Sequence, residues 1–130
     1  MSKMSNYLEE ALLNHIFGGT AYTQPSNIYL GLFTSDPTDA GSGTEVSGGS
    51  YARQEATWDA AANPTGAITT DADVTFPVAS GDWGTVTHIG IFDAVSTGNL
   101  LFYGPLTASQ VINTGNQFKI PSGQLAVTLA

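Results

Sequence analysis

The sequence predicts a mainly β fold: an antiparallel β-sandwich or small barrel of eight or nine short strands, preceded by one N-terminal amphipathic α-helix. Three observations carry that expectation. A good helical period occurs once, in Tyr7 to Phe17. After Thr20 the apolar residues fall in short runs that alternate with polar ones, as strands with one buried face require. Between the runs stand clusters of Gly, Pro, Asn, Asp and Ser, the residues that supply turns. Short strands at this spacing favour two packed antiparallel sheets.

In the helix, Leu8, Leu12 and Ile16 recur every four residues with Ala11 beside them, opposite Glu9, Glu10 and Asn14. Asn6 is the expected N-cap. Glu9, three residues on, completes a capping-box-like arrangement near the positive end of the helix dipole. Gly18 and Gly19 can take the left-handed conformation that ends a helix. At about three turns such a helix does not persist alone in water, so its stripe is expected to lie on a sheet or on another subunit. Ile28 to Phe33 is the first strand, with Ile28, Leu30 and Leu32 on one face and Tyr29, Gly31 and Phe33 on the other. Thr34 to Pro37 stops it in a turn, and Asp39 to Ser50 reads as a flexible Gly/Ser connection, open to ordering by a neighbouring subunit. Tyr51 to Trp58, Ala67 to Thr70 and the alternating Val74, Phe76 and Val78 follow, with Pro77 favouring an edge position. Thr85 to Asp93 is the most apolar strand. Leu100 to Tyr103, Val111 to Asn113, Gln117 to Ile120 and Leu125 to Leu129 complete the set, with hairpin turns at Gly98-Asn99 and Asn113 to Asn116. Residues 1–20 are expected to hold the helix and its cap and 21–130 the sandwich, together one domain.

Composition bounds the function. Three Lys/Arg against 11 Asp/Glu give a net charge of −8 in 130 residues, only 11% of which are charged. Lys3, Arg53 and Lys119 are too few to bind a phosphate backbone, so direct nucleic-acid binding is excluded, and an anionic membrane surface with it. Neither a signal peptide nor a membrane span is expected. The 42% hydrophobic content argues for a folded chain. With no cysteine, neither disulfides nor thiolate metal ligands are available. The Asn63-Pro64-Thr65 triplet has proline in the place that forbids N-glycosylation. No coiled-coil heptad, collagen-like period or other repeat is present, so the chain is a block and not a rod.

No catalytic, cofactor or metal site is expected. The Gly41 to Val46 segment lacks the third glycine of a dinucleotide fingerprint, and no Gly-Lys-Ser/Thr exists. His15, in the last helical turn, reads as a cap or packing residue; His88 sits within a strand, and the two lie far apart in sequence. Asp36, Asp39, Asp71 and Asp73 lack the offsets of a calcium loop and read as turn residues. Trp58 and Trp83 fit core or interface anchors better than sugar-stacking platforms. Arg53 is the one central cation, suited to an ion pair or an intersubunit contact.

Several strings, taken together, are specific: Asn6-Tyr7-Leu8-Glu9, Tyr29 to Thr34, Gly48-Gly49-Ser50-Tyr51-Ala52-Arg53, Val74 to Ala79 and Trp83-Gly84-Thr85-Val86-Thr87-His88. In this combination the chain resembles a family of small tailed-bacteriophage virion proteins usually labelled phage tail fibre protein, over nearly its whole length. Members tend to carry basic residues where Gly18 and Gln110 stand, so basic contacts at those positions are not carried over. The resemblance implies a non-enzymatic structural protein on the outer surface of the capsid or tail. Its partners would be the major capsid protein or tail and fibre proteins, and copies of itself in a symmetric oligomer such as a trimer. Compactness favours a capsid decoration, or cement, protein that stabilises the particle by symmetric subunit contacts, and this is the expected placement; the family label favours the alternative, a tail-fibre or baseplate module. The interface is expected at Leu8, Leu12 and Ile16 of the helix, at Tyr51 and Arg53 after the Gly-rich loop, and at Trp83.

Overall fold

The computed structural model describes residues 3–60 and 66–128. Among them are nine strands and one helix: β1 (Lys3–Met4), α1 (Asn6–Ile16), β2 (Ile28–Phe33), β3 (Gln54–Ala56), β4 (Ala67–Thr69), β5 (Val74–Thr75), β6 (Gly84–Phe92), β7 (Leu100–Ile112), β8 (Lys119–Ile120) and β9 (Ala126–Thr128). A five-stranded antiparallel sheet runs in the order β1-β7-β6-β2-β3, and two antiparallel ribbons, β4-β9 and β5-β8, accompany it. The expected mainly β architecture with an N-terminal helix is thus observed. Asn63 to Thr65 and Leu129 lie outside the described residues.

Alternation decides the two faces of the main sheet. Leu30 lies opposite Ile91 and Leu32 opposite Ile89, and all four are buried on one side. The ribbons cover that side with Val74, Phe76, Phe118, Ile120 and Val127, which join the same apolar cluster as the sheet residues. Burial of this kind supplies most of the stabilisation in a chain without disulfides. The opposite face is built differently. Gly31 pairs with Gly90 at its centre, and the stacked rings of Phe33 and Phe92, 5.9 Å apart, lie over it. A methyl group on Gly90 would come within 2.7 Å of the Phe33 ring, and one on Gly31 within 3.0 Å of the Phe92 ring. Only glycine lets the rings approach the sheet so closely.

Five details differ from the sequence expectation. The N-cap is Ser5, not Asn6: its buried Oγ accepts from the Leu8 amide at 3.3 Å and donates to the Leu100 carbonyl. Ser5 is carried there by β1, too short for periodicity to reveal, which pairs Lys3 with Tyr103 and Met4 with Phe102. Tyr51 to Arg53 are not strand; only Gln54–Ala56 pair with β2. Val78 is exposed and Ala79 buried, because β5 ends at Thr75 and the alternation slips. Finally, Leu100 to Tyr103 and Val111 to Asn113 are two ends of one strand, β7. Between Val86–Gln110 and His88–Pro105 its register against β6 shifts, so residues 106–109 form a wide bulge. Pro105, which has no amide hydrogen, stands at that break.

The Asp39 to Ser50 connection is ordered by its own chain. Thr44 accepts from the Thr34 amide at 2.9 Å, Val46 donates to the Leu32 carbonyl at 2.9 Å, and Glu45 bridges to Phe33. Val46 is buried in the main core.

Candidate functional site

Two clusters contain the residues expected at an interface. The first is α1. Leu8 is 4% exposed, and the helix packs on β7. The helix ends at the Phe17 cap, followed by Gly18 with a φ of +88°. The chain then turns back: His15 Nδ1 accepts from the Tyr22 amide at 3.1 Å, and Thr20 to Thr23 lie beside Tyr7, Glu10, Ala11 and Asn14. Of the expected stripe, Leu12 is half-buried and Ile16 is 67% exposed. Leu13 and Phe17 are exposed too, at 58% and 80%. At 100° per residue these side chains continue the Leu8–Leu12 arc around the helix. The fold therefore covers the N-terminal part of an apolar face and leaves its C-terminal part open.

The second cluster is internal. Gly48, Gly49 and Ser50 all have positive φ, a left-handed run that β-carbons oppose. At Gly49 an added methyl would lie 2.7 Å from the Gly81 carbonyl oxygen. This close approach lets Trp83 Nε1 donate to the Gly49 carbonyl at 2.9 Å and brings Tyr51 edge-on to the Trp83 ring, 5.4 Å between centroids. Tyr51 fills a gap in the edge of β2, between β3 and the Glu45 bridge. Its hydroxyl accepts from the Leu32 amide at 2.9 Å and donates to Glu45 Oε2 at 2.6 Å. Burial first, then that bond to Glu45, pushes the Tyr51 hydroxyl far above the usual tyrosine range. Arg53 meets Glu45 in a two-pronged ion pair, 2.8 Å on each side, and donates to the carbonyls of Ala94 and Thr97. Its guanidinium lies 3.4 Å above the centre of the Phe92 ring. The ion-pair reading of Arg53 is therefore realised within the chain. Tyr51, Arg53 and Trp83 form one unit with Glu45, separate from α1, and Trp83 is 5% exposed.

The remaining candidates have local partners. Asp36 accepts from the Thr38 amide in an Asx-type turn. Asp39 accepts from the Tyr103 hydroxyl, and Asp71 from Thr57. Asp73 accepts from the Ser122 amide at 2.7 Å and pairs with Lys119 at 3.1 Å. His88 Nδ1 lies 2.8 Å from the Thr87 hydroxyl. Among the described residues no group of three or more His, Cys, Asp or Glu is placed to hold a metal ion, and no helix is long and apolar enough to cross a membrane.

Comparison with known families decides the class. Residues 3–128 match the model of the Gp80 family, described as podophage GP4 fiber I protein gp80. The chain belongs to this family. No curated protein matches it in a direct comparison. As a Gp80-family chain it is a phage structural protein, with its place in the virion and its associations among other virion proteins.

Sequence reasoning missed some residues of both clusters in this Gp80-family chain. Leu13 and Phe17 form a second row four residues apart, visible in the sequence but masked by the stronger Leu8–Leu12–Ile16 row. Glu45 sits in a loop whose composition suggests disorder. Its signal was the acid placed before the chain's only arginine.

Proposed function

We propose that this chain is a non-enzymatic component of the fibre apparatus of a tailed phage, a small rigid block that attaches to longer tail or fibre proteins. The single observation that carries this reading is the family match over residues 3–128. The side chains support it. Glu45, Tyr51, Arg53 and Trp83 satisfy one another and rigidify the block, while Leu13, Ile16 and Phe17 offer apolar surface to a partner. On this reading Leu8 and Leu12 hold the helix in place, Ile16 touches the partner, and Tyr51, Arg53 and Trp83 act by shaping the block.

The second reading is a capsid decoration protein that stabilises the shell through symmetric subunit contacts, a use that suits a block without a shaft repeat. Gold-labelled antibody against the chain, imaged on intact virions, separates the two. Label confined to the tail is the expected result; label spread over the head establishes decoration in its place.

A further inference from the structure

We infer that the exposed C-terminal half of α1 is the docking element, and that it seats in an apolar groove with a basic rim on another protein of the particle. The inference rests on the virion-component reading above and adds the surface and the chemistry of its partner. Leu13, Ile16 and Phe17 are spaced i, i+3 and i+4, the pattern of a helix that presents anchors to a groove. Three side chains on a flat contact fall short of the roughly 1,200–2,000 Å² that a stable interface buries, whereas a groove wrapped around the last two turns also covers the helix surface that the returning segment, residues 20–23, leaves open.

Charge selects the partner. Glu9 lies on the helix between the directions of Ile16 and Leu13, and Glu10 beside that of Phe17, so the apolar patch has acids at its N-terminal border. The chain has little to pair with them. Of its three cations, Arg53 and Lys119 are each in an ion pair with an acid of their own neighbourhood, which leaves Lys3 of β1 against the remaining acids, and the net charge is −8. A second copy fits poorly in either orientation. Antiparallel helices packed through Leu13, Ile16 and Phe17 set Glu9 and Glu10 past the Phe17 cap of the other copy, where Gly18 and Gly19 end the helix and offer no cation. Parallel helices set Glu9 beside Glu9. An anionic lipid surface repels the same acids. A groove whose rim carries Lys or Arg satisfies them and speeds encounter with so acidic a chain.

The test uses the full chain and particles assembled without it, with bound copies per particle counted against chain concentration and salt. Wild type should bind, less tightly as salt rises. The double variant Leu13→Gln/Phe17→Ser changes only exposed side chains, and its melting should match wild type while its binding weakens at least about 30-fold, the scale of lost hot-spot residues. Glu9→Gln/Glu10→Gln should bind more weakly with a shallower salt dependence. Wild-type binding by both variants overturns the docking surface but leaves the virion reading intact. Failure of wild type to bind any particle overturns both. Sedimentation of the free chain provides the remaining arm: self-association abolished by Leu13→Gln/Phe17→Ser makes a second copy the occupant and overturns the basic groove.

Discussion

Tyr51 shows how one hydroxyl can finish a sheet. The Leu32 amide has no strand partner, because β3 pairs with β2 only over Ile28 to Leu30 and the Glu45 bridge lies at Phe33. The Tyr51 hydroxyl accepts from that amide and donates a hydrogen bond to Glu45, which also holds Arg53. Tyr51→Phe keeps the ring stacked on Phe76 and edge-on to Trp83 but orphans the amide. It should cost about 1–3 kcal/mol of stability in urea unfolding, the penalty of a buried unsatisfied group. A change within a few tenths would mean that water replaces the hydroxyl. The sequence reveals an aromatic residue at position 51 near an arginine; it does not reveal that a hydroxyl is needed, because the unpaired amide belongs to a residue 19 positions away.

At the scale of elements, α1 depends on β1 and β7 as much as on its own periodicity. Ser5 caps the helix and donates to Leu100, and its amide donates to the Leu101 carbonyl at 2.8 Å. The Asn6 amide is held by Asp39 at 2.9 Å. Ser5→Ala removes both side-chain bonds at a buried position, and a loss of about 1–2 kcal/mol is expected by thermal or urea unfolding. Asn6→Ala, at the cap position that periodicity favoured, should be close to neutral. Equal losses would restore Asn6 as the cap. The span of the helix and its glycine stop were legible, because both follow from local spacing. The cap was not, because a two-residue strand has no period. β7 shows the same limit: its two apolar ends were legible, but their union through a bulge is settled by pairing with β6.

Across the whole molecule, the titration of tyrosines gives stability a direction with pH. Burial, and then the Asp39 bond, pushes the Tyr103 hydroxyl up to about 12, and Tyr51 is raised further. Tyr22 is raised by burial first, then by Tyr7 and Asp93. An unfolded tyrosine titrates near 10. Above that pH the unfolded chain releases protons that the folded chain still binds, so stability present below about pH 10 is lost as pH rises toward the folded values. Unfolding midpoints should therefore fall steeply between about pH 10 and 12, and Tyr51→Phe should flatten the slope. A flat profile over that interval would show these hydroxyls to be accessible. Asp73 works in the opposite sense: the Ser122 amide, then Lys119, hold its carboxyl below the usual value, so its contribution disappears as pH falls below about 4.

The sequence by itself determined the β class, the helix span, the alternation that buries Leu30 and Leu32, and a net charge of −8. These follow from local period and composition, which need no knowledge of distant neighbours. Only the tertiary structure decided which apolar helix residues are covered, and that Tyr51, Arg53 and Trp83 turn inward to Glu45 and Gly49. Leu8 and Ile16 lie in the same row, yet the fold buries Leu8 and leaves Ile16 exposed. Exposure is a property of what packs against a residue, and packing is set by long-range pairing that no local pattern encodes.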